Sequence, residues 1–152
     1  MCIRDRLRSS HGSEKEGIRI MRYKGNDSGI TVLRADDCII ADADWGELRW
    51  HANDELGNSL DMPVGRCVLK PGKSNPRHLH PNCSEVLVVI SGVVSHSIGN
   101  GDNDQTSAEL FAGDTVTIPT GVPHQACNLS NAEEAIVFIA FSSADRETEL
   151  VD

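Results

Sequence analysis

Three histidines and one glutamate stand at spacings that suit metal ligation. His78 and His80 are two apart, Glu85 follows, and His124 lies far downstream. Imidazole offers a neutral nitrogen lone pair and carboxylate an anionic oxygen, a donor mix that holds a divalent transition metal. No thiolate is needed, so Fe(II), Mn(II), Ni(II), Cu(II) and Zn(II) all suit the set. Four protein donors leave one or two open positions on a five- or six-coordinate ion, where a substrate or substrate plus O2 can bind. Glu85 reads as a ligand rather than a base.

Strands must position these residues. Side chains alternate faces along a strand, so His78 and His80 aim the same way if their segment is extended. Pro76 and Pro81 bracket the pair and keep helix out. Residues 81–84 read as a turn that returns Glu85 toward the histidines, at the head of the apolar run Val86 to Ile90. Pro119, Gly121 and Pro123 form the turn that delivers His124 from a distant strand. Asn128 and the glycines read as residues that close turns and strand ends.

The rest of the chain punctuates like an all-β protein. Strands are predicted over residues 31–33, 38–41, 47–51, 65–70, 86–90, 93–98, 106–111, 115–118, 124–128 and 135–141, and no stretch has helical periodicity. The continuous apolar run 135–141 suggests a strand covered on both faces, one cover being a second subunit.

Two motifs organise the donors. The first reads G-x5-H-x-H-x4-E-x6-G from Gly72 to Gly92, and the second G-x5-P-x-G-x2-H-x3-N from Gly113 to Asn128. This pair resembles the cupin superfamily, with every fixed position filled: Gly72, His78, His80, Glu85, Gly92, Gly113, Pro119, Gly121, His124 and Asn128. The resemblance covers roughly residues 60–142 and implies a jelly-roll β-barrel, or double-stranded β-helix, with one metal bound inside by His78, His80, Glu85 and His124. It also implies a homodimer. The corresponding organisation is an N-terminal extension over 1–20, disordered or non-native with Met21 as an alternative start, one cupin domain over 21–142, and a polar, mobile or loosely docked tail over 143–152. There is no internal repeat, so the unit is single.

Composition narrows the partners. The chain has 152 residues and a formal net charge of −9, which argues against nucleic acid and anionic membranes. No apolar run reaches membrane-spanning length. Five cysteines (Cys2, Cys38, Cys67, Cys83, Cys127) show no disulfide-scaffold spacing and read as reduced, small apolar residues, which points to the cytoplasm. Cys127 differs in strand parity from His124 and should face away from it.

Further catalytic groups are scarce. The lone tyrosine, Tyr23, lies outside the motif region, which weighs against a barrel tyrosine as acid, base or crosslink partner. His96, at alternate spacing with Val94 and Ile98, is the candidate catalytic residue if that strand face is interior. Arg49, His51, Arg66 and Lys70 are candidates for binding a substrate carboxylate. The expected function is metal-dependent oxidoreductase chemistry of the dioxygenase type on a small polar organic molecule, with lyase or isomerase chemistry less favoured. The alternative is a metal-containing binding or sensing module without turnover.

Overall fold

The computed structural model describes the backbone of residues 2–3 and 20–22 and, with side chains, residues 29–100 and 104–151. The strands are β1 (Cys2–Ile3), β2 (Ile20–Arg22), β3 (Thr31–Leu33), β4 (Ile39–Ala43), β5 (Gly46–Ala52), β6 (Val64–Leu69), β7 (His78–Leu79), β8 (Glu85–Ser91), β9 (Val94–Ile98), β10 (Thr106–Leu110), β11 (Thr115–Ile118), β12 (His124–Asn128), β13 (Ala135–Phe141) and β14 (Thr148–Leu150). One 3-10 turn, Ala35–Asp37, is the sole helical element among the described residues. The strand expectations hold to within two residues at each end. Tyr23 lies outside the described residues.

Two six-stranded antiparallel sheets form the jelly roll. The first has the order β1-β14-β7-β12-β9-β10 and the second β11-β8-β13-β6-β5-β4. Consecutive motif strands therefore land in opposite sheets: β7 and β12 in the first, β8 and β11 in the second. The inner faces meet in a core of Leu69, Leu87, Val89, Val94, Val137 and Phe141. Alternation drives this. On β13, Ala135, Val137, Ile139 and Phe141 point in, while Phe138 points out and stays 36% exposed. Within one chain the outer side of this strand, with Val86 and Ile90 of β8, is exposed apolar surface, the side on which a second subunit was expected as cover.

Motif glycines and Asn128 shape the ends. Gly92 ends β8 with φ +85°, and a Cβ there would lie 2.8 Å from the Ala135 Cβ, so both conformation and space demand glycine. Asn128 is buried, and its amide donates to the carbonyls of Leu69, Lys70 and Glu133 at 3.1, 3.2 and 2.8 Å, tying three segments together.

The C-terminal segment, expected as a mobile or loosely docked tail, carries a strand of the first sheet. β14 pairs with β7 through Glu149 opposite Leu79 and Leu150 opposite His78. Asn82 secures the approach: its amide donates to the Asp145 carbonyl at 2.6 Å, and its carbonyl accepts from the Glu147 amide at 3.0 Å. The polar composition misled because half of a short strand's residues face solvent. Of the 1–20 extension, expected to be disordered or non-native, the backbone shows Cys2–Ile3 paired with β14. Ile20 belongs to β2, and the remainder lies outside the described residues.

Candidate metal centre

His78 and His124 are direct cross-strand partners on β7 and β12. Their rings lie 4.4 Å apart, with His80 at 5.0 Å from His78 and 5.5 Å from His124. Two-residue alternation brings His80 to the side of His78. The Pro81–Ser84 turn then carries the chain into the opposite sheet, so Glu85 opens β8 and faces the histidines across the interior. Gly121 ties the two motifs by donating its amide to the His80 carbonyl at 2.8 Å. One donor atom from each of His78, His80, Glu85 and His124 lies within 4.8 Å of the others. His80, Glu85 and His124 are fully buried.

The orientation of each imidazole is set by its backbone. Nδ1 lies 2.7 Å from the Pro76 carbonyl in His78, 2.8 Å from the Glu147 carbonyl in His80, and 2.8 Å from the Val122 carbonyl in His124. A carbonyl only accepts, so each Nδ1 carries a proton, and a ring in its neutral form offers its lone pair at Nε2. The Nε2 atoms of His124 and His80 stand 3.2 and 3.3 Å from Glu85 Oε2. A lone pair facing a carboxylate at that distance is repulsive unless a cation shares the space. That cation is either added protons or a metal. Crowding three imidazolium ions at 4.4–5.5 Å spacing is costly, whereas one divalent ion satisfies all four donors. The residues therefore fit a transition metal.

The electrostatics agree. Burial, then His124 and His80, push His78 down to about 4, over the opposing pull of the Pro76 carbonyl and Glu85, so its ring is neutral at physiological pH. Burial acts to raise Glu85, but with protons in the place of a metal the hydrogen bonds and charge of His124 and His80 outweigh it and hold the carboxyl at about 2, ionised. Cys67 is pushed up to about 12 by burial and by Glu85, so it adds no thiolate.

A cavity of about 560 Å³ opens beside the cluster. Its wall includes Trp45, Leu48, Trp50, Val137, Ile139 and Phe141, and His78, His80 and Glu85 stand at its inner end. Sequence reasoning missed Arg146, Thr148 and Leu150, which line it from the C-terminal segment. Their i, i+2, i+4 spacing is a strand signal that the polar tail composition masked.

The other candidates lie elsewhere. His96 is buried, but it is absent from the cavity wall, and its ring stacks on His124 at 5.7 Å and 24°. Its ring contact is thus with a candidate ligand. Arg49, His51, Arg66 and Lys70 do not line the cavity. Leu48, Trp50 and Cys67 take the inward positions on β5 and β6, which turns the intervening arginines and His51 outward. There His51 stacks on Phe138 at 6.0 Å, Arg49 pairs with Glu47 at 3.0 Å, and Lys70 donates to the Ala43 carbonyl at 3.1 Å. Cys127 takes the outward parity, beside buried Ala126 and Asn128.

This geometry coincides with a known domain. Residues 65–141 match the cupin domain. The chain belongs to the cupin family. This cupin is 35% identical over 95 residues to a germin-like protein of Morus alba, covering 62% of this chain and 45% of that one. The chain thus spans less than half the length of that relative. Among solved structures, one of an oxalate oxidase matches at TM-score 0.63 and 26% identity, covering 73% of this chain and 57% of that one. The Lactobacillus farciminis oxalate decarboxylase matches at TM-score 0.69 and 17% identity, covering 78% and 35%, and supports the shared fold.

Proposed function

We propose that this cupin is a metal-dependent oxidoreductase of the oxygenase or oxidase type acting on a small organic acid, with one divalent ion of Fe, Mn, Ni, Cu or Zn held by His78, His80, Glu85 and His124. The observation that carries this is the convergence of three Nε2 atoms, each oriented by a backbone carbonyl, on an ionised carboxylate. Similarity to an oxalate oxidase supports the reaction class. When bound, such a metal supplies Lewis-acid or redox chemistry. The chain's own residues do the remaining work. Backbone carbonyls fix each ring, His96 stacks on His124, and the apolar wall limits water at the inner end.

A second reading is a binding or sensing cupin without turnover. Apart from His78, His80 and Glu85, the titratable side chains on the cavity wall are Asp42, Cys67 and Arg146. Asp42 is exposed at the rim, Cys67 stays protonated, and arginine does not give up its proton, so no poised acid or base faces the inner end. Oxygen uptake by purified protein of measured metal content, supplied with small mono- and dicarboxylates, separates the readings. Uptake that His80→Ala abolishes supports the enzyme. Stoichiometric metal with tight acid binding and no turnover supports the sensor.

We also carry forward a homodimer and a cytoplasmic setting. The exposed apolar side chains Val86, Ile90 and Phe138 on one sheet's outer face support the dimer. The free thiols of Cys38, Cys67, Cys83 and Cys127 support a reducing compartment.

A further inference from the structure

Away from the metal cluster, one group of side chains joins a nucleophile, a base and unmatched positive charge. The β4–β5 register pairs Ile39 with Trp50, so the next step along places Cys38 opposite His51. Cys38 Sγ lies 3.3 Å from His51 Nδ1 and 3.9 Å from the Arg34 carbonyl, which makes the ring the nearer acceptor for the thiol proton. Both residues are half-buried. Two residues before His51, on the same outward parity, Arg49 stands directly opposite Arg66 of β6. Like charges facing each other across a ladder are unfavourable unless something offsets them. Glu47 takes Arg49 at 3.0 Å. Arg66 has no carboxylate partner among the described residues, and the Nε atoms of both arginines are buried without a hydrogen-bond partner.

Charge sets the resting state of the pair. Burial pushes the Cys38 thiol above its ordinary 9.0 against the pull of Arg49 and Arg66, with Asp37 and Asp36 adding to the rise. Burial, then Arg66 and Arg49, push His51 below 6.5. At neutral pH the pair is therefore a thiol and a neutral imidazole, a nucleophile with a base in reach of its proton. The surroundings select what it meets. Among the described residues no third donor joins the pair, the one cluster of metal-ligand geometry being that of His78, His80, Glu85 and His124. Two guanidinium groups also repel a cation, whereas a carboxylate matches their donor fork. The neighbouring thiols differ: Cys67 and Cys83 are buried, and Cys127 Sγ faces the Asn128 carbonyl at 3.7 Å.

We propose that Cys38 is a modification site, a thiol that exchanges with small disulfides bearing carboxylates, with His51 as its base and Arg66, beside Arg49, holding the carboxylate. In the step, the thiol proton passes to His51 Nδ1 and the Cys38 sulfur attacks one sulfur of the disulfide. A new S–S bond forms as the old one breaks. The departing thiolate takes the proton from the imidazolium and leaves as a thiol, so the disulfide is both the oxidant and the source of the added group. None of these four side chains lines the cavity, so the site stands apart from the metal centre.

The test offers the folded full chain three disulfides of similar size: 3,3′-dithiodipropionate with two carboxylates, 2-hydroxyethyl disulfide without charge, and cystamine with two ammonium groups. Mass spectrometry after digestion assigns the adduct to each cysteine and follows its rate. Each rate is divided by that of N-acetylcysteinamide with the same disulfide, which removes differences between the leaving thiols. A net charge of −9 by itself favours cystamine, so a preference for the anion at Cys38 has a local cause. Cys38 is expected to take the label ahead of Cys127, and its normalised rate should be at least about tenfold higher with dithiodipropionate than with cystamine. Salt at about 1 M should remove most of that ratio. Arg66→Gln should lower the ratio at least about fivefold and leave the uncharged disulfide within about twofold. His51→Gln should slow all three by about tenfold or more. Melting temperature is measured for every variant. Equal normalised rates for anion and cation, or a ratio unchanged in folded Arg66→Gln protein, overturns the carboxylate class. Cys38 labelling no faster than Cys127, or folded His51→Gln protein reacting as wild type, overturns the thiol–imidazole pair. A disulfide between two copies of Cys38 in place of the adduct overturns the small-molecule partner. If Arg66→Gln fails to fold, the salt dependence of the wild-type ratio decides.

Discussion

Glu85 Oε2 and His124 Nε2 lie 3.2 Å apart although they come from opposite sheets, on β8 and β12. The carbonyl of Val122 holds the other nitrogen of His124, so this close approach sets two acceptors against each other and calls for a cation between them. The two sheets are in effect clasped at that point.

Loss of any one donor should therefore release the metal. His78→Ala, His124→Ala and Glu85→Gln should each lower the metal content of purified protein by more than tenfold, while His96→Ala, which removes a neighbour of His124 rather than a donor, should lower it far less. Elemental analysis of the four variants checks this. Equal loss in all four would remove the distinction between donors and neighbour.

Acid should weaken the metal-free fold in a defined window. Burial and then His124 hold His96 at about 4, and His78 is likewise held at about 4, both below the ordinary 6.5. A depressed folded value means that the folded state resists protonation. The stability these rings contribute is whole above pH 6.5 and is lost as pH falls toward 4. Glu85 adds a lower step between 4.5 and about 2. The share of buried His96 is on the order of 3 kcal/mol at most. Urea unfolding at pH 7 and pH 4 should show the loss, and His96→Phe should reduce it. A stability that is flat across this window would contradict neutral burial.

The C-terminal strand should govern metal retention as well as access. His80 Nδ1 is oriented by the Glu147 carbonyl, and Asn82 holds that backbone on both sides. Asn82→Ala should destabilise this closure by about 1–2 kcal/mol. Weakening the support of a ligand ring should lower metal affinity by roughly 10-fold or more. Competition with a chelator measures the affinity, and amide exchange over residues 145–150 measures the opening. Unchanged values in both would show that the segment is not a support.

Covering the outer sheet face should leave a dimer in solution. Light scattering is expected to give twice the 16.5 kDa of one chain. Phe138→Lys, which places a charge at the centre of the exposed apolar patch, should shift the mass to that of one chain without changing metal content. A monomeric wild type would leave the patch without this role.

Much of the architecture was legible from residue order because the relevant rules are local. His78-x-His80 is a strand parity, Pro76 and Pro81 exclude helix, and Gly92 marks a positive φ. Each is decided by the residue and its near neighbours, and the four donors stood out because nothing in packing asks for them together. Parity could also have turned Arg49, His51 and Arg66 outward, since Leu48, Trp50 and Cys67 are the inward set.

Other features required the folded chain. That the buried His96 ring stacks on His124 depends on which ring fills which side of the sheet interior. The place of Arg146 on the cavity wall depends on pairing between residues distant in sequence: Leu79 with Glu149, and Asn82 with the backbone at 145 and 147. The polar segment after Ser142 carries too little apolar signal to announce itself as a wall. It becomes one because an open sheet edge at β7 supplies backbone partners, and such hydrogen bonds are blind to side-chain composition. The sequence by itself determined the donors and the strands that bear them. The tertiary structure alone decided what stands around those donors, because long-range pairing and close packing, not local preference, choose the neighbours of a buried side chain.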